Sequence, residues 1–444
     1  MFAPLKNFFR FISSLKLTVV LLTMGMILVF IGTIAQVKHG LWDAQTMFFR
    51  SIIAHWELDS GKMIPVFPGG YLLGWALFIN LISAHVARFK MTWKKSGIFL
   101  THIGLLMLLL GQFLTERLQV ESHMRIEEGW SKNYSAAALE DELAVIDKSG
   151  AETFSYVSFP GAILKDYIEN DKPVTHSNFP FEIRIKKWFA NSEPLYSWQD
   201  RADAMQGPQG LGARLKIAER PVTKKMDDRN IPAAMVEVVG KDGDVIGEWL
   251  LSGWLADDGL AEAIRRDSGF GERYANLDAP QEFEYDGKTW EIALRTLRYY
   301  KGHEIYLHDF KHDRYLGTDK AKNFSSRITL NNPEKGEERE LTIRMNEPLR
   351  YAGETYFQGS FEKTDKTTIL QVVMNPAWLT PYVSCTLIGI GLCVQFGMSF
   401  MRFRDRSSGP KKGGDKAKAS KEKGSKSQKA ETSPATADTK KGKS

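Results

Sequence analysis

Two histidines stand where imidazole has few polar neighbours. The stretch NLISAHVARFKMTWKKSGIFLTHIGLLMLLLG, Asn80 to Gly111, sets His85 and His102 in apolar runs on either side of a basic connection. Ionisable residues inside apolar spans are costly and commonly mark relays, pathways or cofactor ligands. At 1.5 Å per helical residue, His85 falls about 6–8 Å before the end of its run and His102 about as far after the start of the next, so antiparallel helices would hold them at one level. Two readings stand side by side: each ring hydrogen-bonds a neighbouring carbonyl, or the pair ligates something. A bare metal ion would want carboxylates or thiolates as well, and these runs offer none at that depth. Haem b is the better match, because its flat apolar macrocycle suits a gap between helices and its iron takes neutral imidazole.

Other residues with chemistry to offer have plainer explanations. His303, His308 and His312 in HEIYLHDFKH alternate as a strand does, which puts His308 and His312 on one side about 13 Å apart and favours surface histidines over a metal site. His39 and His55 read as solvated or capping residues in a short loop. Cys385 and Cys393 are the only cysteines and lie eight apart in an apolar run, where cysteine usually serves as a small filler. P-loop, HExxH, GxSxG, GxGxxG and paired-cysteine zinc patterns are all missing, so no catalytic residue is assigned.

The elements that must position the two histidines are apolar spans. Mean hydropathy over the chain is only -0.28, yet the apolar residues are bunched. Four runs reach the roughly 17–25 residues that cross a bilayer as a helix: residues 17–35, 71–89, 97–114 and 378–400. Lys and Arg cluster before the first run, in the 90–96 connection and after the fourth, all on one side of a four-helix zigzag. Positive flanks stay cytoplasmic, so both termini are expected in the cytoplasm of a multi-pass inner-membrane protein, with residues 36–70 and 115–377 outside. Residues 1–16 alternate aromatic and basic types and suit an interfacial helix. Within the short outer loop, GLWDAQTMFFRSIIAHW has apolar residues at helical spacing and predicts an amphipathic helix.

Residues 115–377 contain no cysteine and read as strands. FEIRIKKWF (181–189) alternates, AAMVEVVGKDGDVIGEWLL (233–251) is a hairpin turning at Gly243, and RITLNNPEKGEERELTIRM (327–345) repeats that plan. One helical insert is expected, at residues 256–267. Many short strands with Gly and Pro turns argue for an antiparallel sandwich-like domain inserted between the third and fourth helices, which makes the whole a membrane α+β protein. The net charge of +6 is a property of the tail: eleven Lys face four acids from Lys411 to Ser444. Residues 401–444 lack branched apolar residues beyond the span and are expected to be a disordered Lys-rich cytoplasmic tail. A solubilising extension is the favoured reading of that tail, ahead of contact with anionic lipid headgroups; no nucleic-acid partner is expected.

The helix pair NLISAHVARFK and KSGIFLTHIGLLMLLLGQ, VESHMRIEEG after it, DFKHDRYLGTDKAKNFSSRITL (309–330) and MNEPLRYAGETYFQGSFE (345–362) resemble the ResB (CcsB-like) cytochrome c biogenesis family. The resemblance covers about residues 10–403. It implies a ResC (CcsA-like) membrane partner in the system II pathway, haem transport across the membrane, and joining of haem vinyl groups to the CxxCH cysteines of apocytochrome c. It also implies a supporting, non-catalytic role for this chain beside a partner that carries the Trp-rich haem-binding segment absent here. Of the two membrane histidines, His85 is the closer match to the family's haem ligand and His102 the second. Two rivals from other classes are a membrane haem oxidoreductase subunit, which needs a second histidine pair at the far end of the same helices, and a membrane-anchored β-domain scaffold without cofactor.

Overall fold

The computed structural model describes residues 3–58, 62–88, 92–150, 153–196, 198–223, 229–256, 260, 264, 281–317, 321–361 and 366–407. The helices are α1 (Ala3–Ile12), α2 (Leu15–Ala44), α3 (Gly70–Arg88) and α4 (Ser96–Leu118), with α5 (Gly161–Glu169), a helical turn α6 (Gly253–Ala256) and α7 (Thr380–Ser407). Among the described residues, four helical stretches are long and apolar enough to cross a membrane: 15–49, 70–87, 93–118 and 380–405. Helix α2 runs past residue 35 as far as Ala44, broken only at Gly40, whose φ of 78° and ψ of 170° leave helical geometry. An L side chain is strained at that φ, and glycine is not.

After α2 the chain departs from the amphipathic helix expected over residues 40–56. A π-helical turn covers Gln45–Phe49, and the chain then becomes strand β1 (Ile53–Glu57), paired antiparallel with β2 (Met63–Pro68). The β-branched pair Ile52–Ile53 favours an extended backbone. Gly69 and Gly70 allow the return, since a Cβ on either would fall within 2.3 Å of a backbone oxygen of Ser51 or Phe49. Phe48 and Ala54 are thereby buried with Leu21, Leu28 and Leu73 of α2 and α3.

The β domain comprises β3 (Val120–Glu127), β4 (Ser131–Asp147), β5 (Ser155–Pro160), β6 (Phe181–Phe189), β7 (Ser192–Pro194), β8 (Met205–Gln206), β9 (Lys216–Glu219), β10 (Ala233–Gly240), β11 (Val245–Ser252), β12 (Gln281–Tyr285), β13 (Lys288–Arg314), β14 (Ala321–Asn332), β15 (Glu337–Arg344), β16 (Leu349–Tyr351), β17 (Glu354–Phe361) and β18 (Thr367–Met374). All its strand pairings are antiparallel. A ten-stranded sheet follows the order β15-β14-β13-β4-β3-β18-β17-β16, with β12 on β13 and β5 on β4, and the sheet β11-β10-β6 is separate.

Three cores result among the described residues of the domain, a small one around Leu215, Ile217 and Leu250 and the two that β13 serves, whose strands are longer than the short strands expected. One core joins Phe181, Ile183, Val236 and Trp249 of the small sheet to Leu143, Val145, Trp290, Ile292 and Leu294 of β4 and β13. The second buries Met124, Ile126, Ile305, Leu307, Ile328, Leu330, Tyr356 and Leu370. Strand β13 therefore contributes Trp290, Ile292 and Leu294 to one core and Ile305, Leu307 and Phe310 to the other. Helix α5 is an addition to the single insert expected, and it seats Leu164 in the first core. Of the insert expected at 256–267, only Ala256, Leu260 and Ile264 are described; all three are helical, and the remainder lies outside the described residues.

Candidate functional site

Two close packings fix the helices. Helix α4 lies against α7 along Gly97, Gly104 and Gly111, where added Cβ atoms would fall 2.4–2.8 Å from Gly391, Ser384, Ile388, Gln395 and Thr380. Glycines seven apart recur on one helix face, so the backbones can approach closely. On the other side, buried Asn80 of α3 accepts a 2.6 Å hydrogen bond from Thr18 Oγ1 and donates from Nδ2 to the carbonyls of Ile12 and Ser14, which fastens α3 to the α1–α2 corner. The helices thus form two pairs, α2–α3 and α4–α7, and α3 meets α4 more sparsely than either pair packs internally.

His85 and His102 lie in that α3–α4 seam. His102 is roughly 150° around α4 from the Gly97–Gly104 line, so it faces away from α7. The two imidazole centroids are 4.6 Å apart with their planes inclined at 55°. His85 Nδ1 is 3.0 Å from the carbonyl of Leu81 and His102 Nδ1 is 2.7 Å from that of Ile98. A carbonyl can only accept, so each Nδ1 carries its proton, and the lone pair of a neutral ring sits on Nε2. Metal-bound histidines usually have their second nitrogen anchored in this way. The donor set therefore fits haem iron.

The spacing limits how it fits. Two imidazoles on opposite sides of one iron, with bonds of about 2 Å, hold their centroids about 6 Å apart. At 4.6 Å no macrocycle fits between these two rings, and His85 Nε2 is enclosed by its surroundings. The arrangement suits one imidazole as ligand with the other beside it, once the seam widens or a ring turns.

A second group lies at the end of the seam nearest the β domain. Tyr71 and His85 are fourteen residues apart on α3, as are His102 and Glu116 on α4. That spacing is close to four whole turns, so each pair shares a helix face about 21 Å apart. Tyr71 Oη donates to Glu116 Oε1 at 2.8 Å, Arg50 Nε pairs with the same oxygen at 3.2 Å, and the Arg50 guanidinium lies 5.1 Å from the Trp42 ring. These residues edge a cavity of about 1020 Å³ bounded by α2, α3, α4 and strands β3, β4 and β13. Its apolar wall includes Trp75, which meets Phe78 and Phe113 edge-on at 5.7 and 5.2 Å. No pattern in the sequence links Arg50, Glu116 and Glu140 of this cavity; only tertiary packing gathers them.

The remaining histidines fall elsewhere. A bulge between Leu307 and Asp309 shifts the register of β13 against β14. One extra residue reverses which face follows, so His312 packs on Phe324 and Phe361 while His308 stands beside Tyr306 and Thr329. The same-side placement expected for His308 and His312 is thus overturned. His303 is buried, with 5% exposure, rather than on the surface. Its Nε2 is 2.8 Å from Tyr356 Oη, which donates to Glu354, itself paired with Lys301 at 2.7 Å. Burial holds the His303 imidazole below its usual value, and burial together with Glu354 pushes the Tyr356 phenol up. His39 and His55 remain in the α2–β1 region, His39 edge-on to Trp56 at 6.4 Å.

Fold and site together define a class: a bundle of apolar helices bearing a large antiparallel β domain, with an imidazole pair in the seam between helix pairs. Residues 294–375, most of the second core and its strands, match the model of the ResB-like family. The chain is 23% identical over 333 residues to Protein NrfI of Wolinella succinogenes, an alignment covering 75% of this chain and 30% of that protein. The chain thus spans less than a third of the length of that relative. These two findings support assignment of the chain to the ResB-like family.

Proposed function

We propose that this chain is a ResB-like subunit of a cytochrome c biogenesis complex, and that it assists haem delivery across the membrane toward attachment to apocytochrome c. The observation that carries the reading is the His85–His102 pair, whose Nδ1 protons are tied to Leu81 and Ile98 carbonyls so that Nε2 is the coordinating nitrogen. Haem is cargo here. One imidazole of the pair binds its iron, and a histidine of a ResC-like membrane partner takes the opposite face. Sparse packing between α3 and α4 supports this, because the seam can widen without breaking the α4–α7 contact. The β domain lies outside the inner membrane and both termini are cytoplasmic, which follows from the placement of Lys and Arg.

An electron-transferring role fares worse. A second imidazole pair would be needed at the opposite end of the same helix faces, and Tyr71 and Glu116 occupy those places. The test is to purify the chain with and without its membrane partner and record visible spectra. A Soret band that is lost in His85→Ala or His102→Ala, together with loss of cytochrome c maturation, is expected. A colourless complex that still matures cytochrome c, or variants that retain full haem content, would overturn the proposal and leave the membrane-anchored scaffold.

A further inference from the structure

The cavity at the domain end of the α3–α4 seam has features that the histidine pair does not use. Strand β4 leaves its ladder there. Thr296 of β13 pairs with Asp141 and Arg298 pairs with Ala136, so residues 137–140 stand opposite the single residue Leu297. Ala137 pairs with Ser122 of β3, whereas Ala138, Leu139 and Glu140 fall outside every register that β4 makes with β3, β5 or β13. These three residues are exposed and line the cavity. A run of strand backbone outside its ladder can take up an extended peptide by main-chain hydrogen bonds, with side chains supplying the selectivity.

The charges around the cavity choose between occupants. It is lined by Glu116, Glu121 and Glu140 and by one cation, Arg50, which Glu116 and Trp42 already hold. Glu140 forms no ion pair among the described residues. Tyr299, also in the wall, has its phenol pushed up by burial and by the nearby Glu140 and Glu142 carboxylates. An anionic ligand meets surplus negative charge here, and a basic one is attracted. The floor is apolar and aromatic, with Trp75, Phe78 and Phe113.

We infer that this cavity is a docking site for an extended, basic polypeptide segment, which lies along Ala138–Glu140 with its cationic side chains toward Glu140 and Glu121. Taking that segment to be the haem-accepting stretch of an apocytochrome rests on the proposed function; the existence of the site does not. On that reading, the polypeptide is met about four helical turns from the imidazole pair, on the same faces of α3 and α4.

The test uses the full chain in detergent micelles and a short fluorescein-labelled peptide containing Cys-x-x-Cys-His, with its thiols alkylated and flanked by lysines. A control peptide has glutamates in place of the lysines. Binding of the lysine peptide is expected to weaken about tenfold in the Glu121→Lys/Glu140→Lys variant and to lose much of its salt dependence, as reversal of two rim charges implies. Leu139→Pro, which removes a main-chain donor where no ladder bond is lost, should weaken binding while preserving the preference for lysine. A photoreactive benzophenone side chain at position 139 should crosslink to the peptide. Equal binding of the acidic peptide, indifference to the Glu121→Lys/Glu140→Lys change, or recovery of phospholipid as the crosslinked product overturns the inference, the last in favour of a lipid site. His85→Ala should leave peptide binding unchanged, so a failure of the haem reading and a failure of this one are told apart.

Discussion

Replacing Glu142 by Gln should cost the β domain more stability than any surface change. Glu142 is fully buried at 0% exposure and Arg295 is nearly so at 4%, with Nε 2.9 Å from Oε1. Ser158 also donates to Glu142, and Arg295 reaches Tyr300 Oη at 3.4 Å. The pair joins β4 to β13 immediately after residues 137–140, where the ladder is interrupted. Glu142→Gln leaves a guanidinium buried with no counter-charge, and breaking a buried pair in this way costs about 3–5 kcal/mol. In a domain of this size each kcal/mol moves the melting temperature by about 2–4 °C, so a fall of about 10 °C is expected. Circular dichroism of the β signal in detergent micelles measures it. Replacing both charges, Glu142→Leu with Arg295→Met, should recover most of the loss, because the desolvation penalty disappears along with the attraction. A single variant that melts within about 2 °C of the parent, or a double variant no better than the single, refutes the reasoning.

Two further outcomes are expected. Gly104→Val forces a side chain into Ile388 and the Ser384 carbonyl, 2.7 and 2.8 Å from where its Cβ would sit; α4 and α7 should separate at a cost of about 1–3 kcal/mol, read as easier thermal aggregation of the purified chain. For His303, burial depresses the folded-state pKa below 6.5, with Glu354 opposing and Lys301 and Lys335 reinforcing the shift. The unfolded chain therefore binds the proton more readily, so the contribution is complete above about pH 6.5 and is lost as pH falls through the folded value. Melting curves should show His303→Phe with a shallower fall below pH 6.5 than the parent, and parallel pH profiles would rule the effect out.

The spans and several strands could be read directly, because each is announced by a local pattern. Leu17–Ala35 carries no charged residue, and FEIRIKKWF alternates from Phe181 to Lys186 and forms β6 from Phe181 to Phe189. The turn in β14–β15 is marked by Pro333 and by Gly336, which adopts a φ of 59°. What stayed hidden depends on distant partners. Residues Ile53–Glu57 have apolar spacing compatible with a helix and become a strand because Met63–Pro68 returns beside them. The face of His312 is hidden from the sequence because a one-residue bulge in β13 has no signature in an alternating run. Nor does any short pattern say that β13 runs from Lys288 to Arg314 through two cores. The common depth of His85 and His102 is legible from the fixed helix rise, whereas their 4.6 Å approach also needs both helices turned toward one seam, which the sequence leaves open. The cavity was not, because Arg50, Glu116 and Glu140 come from three separate stretches.

The long β13, shared by two of the cores, has a mechanical consequence. Its ladder with β4 breaks between Thr296 and Arg298 and again between Tyr300 and Ile305, so the one strand that ties the two cores together also carries the irregular stretch that separates Leu294 of the first from Ile305 of the second. Among the helices, the glycine-tight α4–α7 contact is the firm seam, and the sparsely filled α3–α4 seam beside it is where the two pairs are least bound to each other.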